Sequence, residues 1–440
     1  MIQAKCIQKF RDNQGRIIGY ILEDKQGQTC EIQPDELKEA IRNNQIDIDN
    51  LILTSDNRLV NSCTTDYSNY NKISTQNDFI ILNKDVIVAS FNSNLGNFEI
   101  YGNLPYGFDN LAAWIHSRYK FSCARDVRHF FNTIGIKNEI DFIDIVHCVS
   151  LHDTFWVKRT DDDLVWKDIS PYTHNYSNIV STYALDGIII KDKSKDYFSP
   201  VIETGGTFPH TWIWKNNEIH FVKAGSKYTI PASNSGREPY SEYYASIIAK
   251  YLNFNSVEYT IRNHTRHDNK IDVVTECKIF TNEAYGSTTA NNLNLLSYED
   301  IIDYCRDLSD KSYNTILDML FLDCLLLNTD RHFSNIEFIV NNDTQQIIDI
   351  APIFDNNFAL LPRFIENYDR FNRSDYVARD NRKFEDLYKV VIMHKMYTRE
   401  LMSLKKLKLT KPRSVQLSDE RLKFLNNFLQ KQVDYLISLS

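Results

Sequence analysis

Period-two alternation opens the chain, predicting strands at about 2–10 and 17–23. Pro34 then leads into a helix at 35–42, and "IDNLILTS" reads as a further strand that ends in the turn-like "SDN". The stretch "DFIILNKDVIVASF" is strand-like, and helical patterns come next near 108–119 and 124–134. The signals sharpen past residue 200. "HTWIWKNNEIHFVK" alternates on either side of "KNN", the pattern of a β-hairpin. Tyr244, Ile247, Ile248 and Tyr251 recur at i, i+3, i+4 and i+7, predicting a helix at 240–252, and "DVVTECKIF" returns to a strand. Helical segments dominate from there. One of them, 315–327, is apolar except at Asp318 and Asp323 and is expected to be buried on all sides. Two strands, "NIEFIV" and "IIDIAPIF", come after it, separated by the polar turn "NNDTQQ".

Strands first and helices later suggest an α+β chain with a two-lobed body. At 440 residues, two or three domains are expected. The divisions are a small β/α module at 1–75, a mixed α/β region at 76–195, a sheet-rich lobe at 196–285 on which that region packs, and a helical lobe at 286–440. The polar run at 61–78 reads as a linker, and the charged "KDKSKDYFS" from Lys191 marks a second boundary. The apolar fraction of 42% and charged fraction of 25% are those of a globular protein with a sizeable core. A net charge of −8 disfavours a general binder of nucleic acid or anionic membrane. Eight scattered cysteines show no CxxC pair and no zinc-type Cys/His comb, as expected of free thiols in a reducing compartment. The first residues lack an apolar signal core, and no run is long enough to span a bilayer, so a cytoplasmic protein is expected.

Candidate chemistry gathers in "NTDRHFSN" and "APIFDN". The apolar 315–327 helix delivers Asp330, and Asn335 stands beyond it at the D-x-x-x-x-N spacing of phosphoryl-transfer catalytic loops. There one carboxylate meets the attacking hydroxyl while an amide oxygen helps to hold magnesium, and a returning strand delivers Asp355 as a second metal ligand. Singly, each Asp could equally well cap a turn or begin a loop. In "DRH", His332 is expected to act as a structural donor that fixes the loop, bonding a carbonyl or Asp355, rather than as a proton shuttle. Lys223 shares a strand face with Ile219 and Phe221, where a lysine needs a partner. Nucleotide phosphates and a helix glutamate would provide one, the alternative being a strand-end lysine reaching solvent. Glu242 is the expected glutamate, with Glu238 as the weaker choice. Gly205, Gly206 and Thr207 precede the hairpin, where main-chain amides could approach phosphate, although a plain turn explains the glycines as well. Ser199, Thr204 and Thr207 place hydroxyls there for regulatory phosphorylation.

Taken together, "NTDRHFSN", "APIFDN", the glycine-containing loop, the strand lysine and "SEYYASIIAKYL" resemble the HipA-like serine/threonine kinases of bacteria, in particular their compact CtkA-like branch. The resemblance covers about 195–360. It implies a bilobal protein-kinase-like fold, with the N-terminal α/β module as an addition, using ATP and Mg2+ to phosphorylate Ser or Thr on protein. Asp330 would be the catalytic acid/base, Lys223 the phosphate-binding lysine, and Asn335 and Asp355 the magnesium ligands. Order along the chain places the adenine edge against main chain at Glu276, Cys277 and Ile279. Autophosphorylation in the glycine-containing loop and an antitoxin or other regulatory protein partner are further implications. The chain departs from the family in its first 150 or so residues and in having "NNF" after Asp355. Two alternatives stay open: a nucleotide-binding sensor without phosphate transfer, and a phosphoinositide-type lipid kinase, whose catalytic loops also carry "DRHxxN". The basic run from Arg399 to Arg413 reads as a solvated helix face or a contact for an anionic partner.

Overall fold

The period-two stretches at the start of the chain fold as β1 (Ile2–Arg11), β2 (Ile17–Asp24) and β3 (Thr29–Ile32). With β4 (Ile46–Ile48) they make a sheet of order β3-β2-β1-β4. Helix α1 (Pro34–Arg42) begins at its proline, whose missing N–H costs nothing in a first turn, and buries Leu37 against Tyr20 and Leu22. Of the stretch expected to form a strand after α1, residues 48–55, Leu51–Leu53 is a strand, and β4 reaches only its first residue, Ile48. β4 pairs with β1, whereas β5 (Leu51–Leu53) pairs with β6 (Leu59–Asn61) in a separate ladder. The computed structural model describes residues 2–11, 17–43, 45–48, 51–53, 59–61, 73–118, 127–190, 198–200, 208–226, 236–364 and 371–440. Most of the expected linker and all but the end of the expected boundary after Ile190 lie outside them.

A second sheet, β10-β7-β8-β9, is built from β7 (Phe79–Asn83), β8 (Val86–Phe91), β9 (Glu99–Ile100) and β10 (Phe155–Arg159). Phe79 to Leu82 are all buried rather than alternating, the sign of a strand covered on both faces. Short helices α2 (Leu111–Ser117), α3 (Val127–Ile134), α4 (Glu139–Val146) and α5 (Trp166–Ile169) accompany it. These elements belong to one compact unit, comprising Met1–Lys120, Asp126–Ser177 and Lys193–Thr204.

The other unit comprises Phe121–Arg125, Asn178–Asp192 and Gly205–Ser440. Its first sheet has the order β11-β12-β14-β13, from β11 (His210–Lys215), β12 (Glu218–Ala224), β13 (Thr260–Thr265) and β14 (Ile271–Lys278). The "KNN" turn works because Asn216 and Asn217 both accept positive φ, 53° and 61°, which a tight hairpin requires. Helix α6 (Asn178–Asp186) covers one face, where Leu185 packs on Val222, Ala224 and Val274. Helix α7 (Glu238–Tyr251) lies against β12, β13 and β14, its fully buried Ala245 and Ala249 permitting close approach.

A second, three-stranded sheet, β15-β16-β17, joins β15 (Tyr285–Thr289), β16 (Glu337–Asn341) and β17 (Ile347–Ile350). β13 and β15 escape the sequence pattern because "TIRNHT" and "YGSTT" are polar and become strands only through their partners β14 and β16. Helices α8 (Tyr298–Leu308), α9 (Asp310–Leu326), α10 (Phe384–His394), α11 (Thr398–Leu404) and α12 (Asp419–Leu439) complete the unit. Helix α9 is the expected buried post, packed by α8, α10 and α12. Its Asp318 is satisfied by Lys395 Nζ at 2.7 Å and the Tyr397 hydroxyl at 2.7 Å. No helix among the described residues is long and apolar enough to cross a membrane.

Candidate active site

The hairpin register sets the direction of Lys223. It lies opposite His210 on β11 and Thr275 on β14, sharing their face with Phe221 and Cys277. From β12 its Nζ reaches Glu242 Oε1 on α7 at 2.9 Å and Asp355 Oδ1 at 2.6 Å. Asp355 is presented by main chain tied back to the end of α7. The Val257 N–H donates to Ile353 O at 2.9 Å and the Ile353 N–H to Asn255 O at 2.8 Å. Asp355 itself has φ of 53°, a left-handed conformation that Asp tolerates better than bulky residues. A lysine, a helix glutamate and a loop aspartate, distant in sequence, thus meet at one point.

The second half of the site hangs on α9. The helix ends at Leu327 in a left-handed cap, φ 51°, and the chain turns sharply into Asn328 and Asp330. The Asn335 Nδ2 donates to the Asp330 carbonyl at 3.1 Å, orienting the amide. The Asp330 carboxylate carries a loose ion pair with Arg379 Nη1 at 3.5 Å. What fixes the loop is Arg331, which is fully buried. It donates five hydrogen bonds: two to Asp323 of α9, one each to the Asn335 and Phe354 carbonyls, and one to Asn356 Oδ1. One guanidinium therefore holds the post, the Asp330 loop and the Asp355 loop in register.

The charges are unevenly tuned. Burial opposes the Lys223 ammonium, but the two carboxylates beside it hold it charged, above its ordinary value. Burial pushes the Glu242 carboxyl up to about 7, despite the pull of Lys223 and with the added push of Asp355. Burial also works against Asp355, yet Lys223 and Arg331 keep it below the ordinary carboxylate value. Asp355 is thus the ionised partner and Glu242 the one that titrates near neutrality. Burial raises Asp330 as well, aided by Asp355 and opposed by His332 and Arg379. Stability is therefore pH-dependent. Because Glu242 binds its proton more tightly folded than unfolded, its contribution to stability is present at low pH and lost between about 4.5 and 7. A Glu242→Gln variant lacks that dependence. Urea unfolding at several pH values is expected to show the wild type losing up to about 3 kcal/mol relative to Glu242→Gln across this window.

Other expectations fare differently. Glu238 is not the lysine partner: from the first turn of α7 its Oε2 accepts from the Ser226 N–H at 3.1 Å. Glu276 lies opposite Val222, on the face away from Lys223, where Lys215 and Arg262 hold its carboxylate, and its main chain pairs with strands on both sides. The Ile279 N–H is likewise bonded, to Ile219 O at 3.0 Å. The Glu276 main chain is thus spent in the ladder of a central strand, and at Ile279, just beyond that strand, the N–H is taken. Cys277 faces the Lys223 side, in a cluster with Val257, Tyr259, Phe221, Phe280 and Phe354, and burial raises its thiol well above the ordinary value. The His332 ring makes no hydrogen bond among the described residues; its main chain forms the turn, donating to Asp330 O at 2.8 Å and accepting from the Asn335 N–H at 2.7 Å. The expected side-chain donor is its neighbour Arg331, whose planar fork can reach several carbonyls at once. Ser199 is buried, so its hydroxyl is not presented to a kinase in this conformation. Gly205, Gly206, Thr204 and Thr207 lie outside the described residues.

Among the described residues, no group of three or more His, Cys, Asp or Glu side chains is arranged to hold a metal ion by itself. Asn335 and Asp355 supply an amide oxygen and an ionised carboxylate, the hard oxygen donors that magnesium takes when phosphate oxygens and water complete its shell. The Asn335 amide already gives its N–H to Asp330 O, which leaves its oxygen as the atom available to a metal ion. The donor set fits such an ion.

No protein-family model matches the chain, and no curated protein matches it. Among solved structures it is similar to the proinflammatory kinase CtkA of Helicobacter pylori, at 20% identity and a TM-score of 0.39, over 54% of this chain and 94% of that one. It is also similar to HipA of Shewanella oneidensis, solved with HipB and operator DNA, at 11% identity and a TM-score of 0.48, over 82% of this chain and 97% of that one.

Proposed function

We propose that the chain is an ATP- and Mg2+-dependent serine/threonine protein kinase of HipA-like, bilobal design. The observation that carries the reading is Lys223 bonded at once to Glu242 and Asp355, since phosphoryl transfer needs a lysine held by a helix glutamate beside a metal-binding aspartate. In this reading Lys223 binds nucleotide phosphates, Glu242 positions it, and Asn335 and Asp355 hold Mg2+, which neutralises phosphate charge when bound. Asp330 accepts a hydrogen bond from the acceptor hydroxyl and orients it. The hydroxyl oxygen then bonds to the γ-phosphorus, the bond from that phosphorus to the bridging oxygen breaks, the proton passes to Asp330, and ADP leaves. The sequence resemblance extends the proposal to autophosphorylation and to a regulatory protein partner of antitoxin type. Incubation with γ-labelled ATP and Mg2+ in the presence of protein acceptors, and separately of phosphoinositide vesicles, tests it. Label is expected on Ser or Thr of protein. Label on lipid would assign the lipid-kinase reading instead, and nucleotide binding without any transfer would assign the sensor reading.

A further inference from the structure

Arg379 reaches the Asp330 carboxylate from a turn that is itself firmly built. Val377 and Lys383 form an antiparallel bridge, the Ala378 N–H donates to Arg382 O at 2.8 Å, and Asn381 takes φ of 66° to close the turn. Arg382 anchors this turn to α8, donating to both oxygens of Glu299 at 2.6 and 3.2 Å and lying over the Tyr298 ring at 5.9 Å. The Tyr298 hydroxyl in turn donates to Arg331 O at 3.0 Å, so the turn and the Asp330 loop share one support. The adjacent acid, Asp380, is engaged by Arg382 at 3.0 Å and does not neutralise Arg379.

The Arg379 side chain is 60% exposed and its contact with Asp330 is long, at 3.5 Å. A pair this open contributes little to stability, yet the turn that delivers it is held by its own main-chain bond and by Arg382. Lys223, Glu242 and Asp355 meet at one point, whereas the exposed Arg379 guanidinium lies beside the Asp330 carboxylate, the group that in the kinase reading meets the acceptor hydroxyl. A guanidinium there meets whatever flanks that hydroxyl.

Resting on the kinase reading, we infer that Arg379 is a specificity-determining residue that selects protein acceptors carrying a carboxylate beside the phosphorylated Ser or Thr. Such a carboxylate takes the Arg379 guanidinium, and Asp330 is released to the hydroxyl. An acidic flank thereby both docks the acceptor and frees the base, whereas a basic flank meets repulsion.

The test uses the full chain with Mg2+ and ATP and three matched Ser peptides, flanked by Asp, Ala or Lys. The wild type is expected to favour the Asp over the Ala peptide by roughly five- to tenfold in kcat/KM, with the Lys peptide poorest. In Arg379→Gln the Asp-to-Ala ratio is expected to fall to about one, and in Arg379→Glu the order to reverse in favour of Lys. Transfer by the wild type without charge preference, or an unchanged ratio in Arg379→Gln, overturns this inference alone. Absence of transfer to every peptide by a wild type that binds ATP overturns the kinase reading, and this inference with it.

Discussion

An Asp330→Asn variant is expected to lose phosphoryl transfer by about 10³-fold in kcat, within the range that a positioned base supplies. Its nucleotide affinity and fold are expected to survive. Among the described residues the Asp330 carboxylate makes one long, partly exposed ion pair, whereas the bonds that shape the loop use its main-chain oxygen, which accepts from Asn335 and from the His332 N–H. Asparagine keeps that oxygen and the side-chain volume but cannot take a proton. Steady-state kinetics with ATP binding measured alongside checks the result. A fall in kcat and kcat/KM together, with unchanged ATP affinity, marks a loss confined to the chemical step. A variant that fails to bind ATP would place Asp330 in nucleotide binding instead.

An Arg331→Met variant is expected to be the most damaging to stability. Its five donated bonds disappear, and the carboxylate of Asp323, 1% exposed inside α9, keeps only Asn328 as a hydrogen-bond partner among the described residues. Breaking a buried pair by removing one member costs about 3–5 kcal/mol, because the other charge is left uncompensated. The urea midpoint is expected to fall accordingly with little change in slope. Pairing it with Asp323→Leu is expected to recover most of the loss, since two apolar residues of similar volume leave no stranded charge. Transfer activity is not expected to return. The double variant still lacks the bonds to the Asn335 and Phe354 carbonyls that hold the two loops at one distance.

What the sequence disclosed was local. The hairpin around "KNN", the amphipathic α7 and the apolar α9 are written in periodicity and turn residues, and the structure has them within a few positions. Lys223, Glu242 and Asp355 stand out because a lysine on an apolar strand face, an acid early in the next helix and an aspartate after an apolar strand each need explaining. Arg331 does not, because its partners lie on three separate segments. A clue is present nonetheless: Asp323 is one of two acids in the apolar stretch of α9 and stands eight residues before Arg331, and a buried acid requires a cation. Glu276 illustrates the converse. The face a strand residue takes depends on register, and register with β12 turns Glu276 away from Lys223 while keeping Cys277 on its side. The strands β13 and β15 are hidden for a related reason, since their polar sequences acquire strand form from neighbours rather than from their own pattern.

If Lys223, Glu242, Asp330 and Asp355 form a phosphoryl-transfer site, removing the metal-binding carboxylate must silence it. The decisive measurement is γ-phosphate transfer from labelled ATP with Mg2+ by the wild type and an Asp355→Ala variant, side by side, both first shown to be folded. Phosphoserine or phosphothreonine is expected from the wild type, with a loss of at least about 10³-fold in the variant. Equal labelling by the two proteins, or none from a wild type that binds ATP, would contradict the kinase reading.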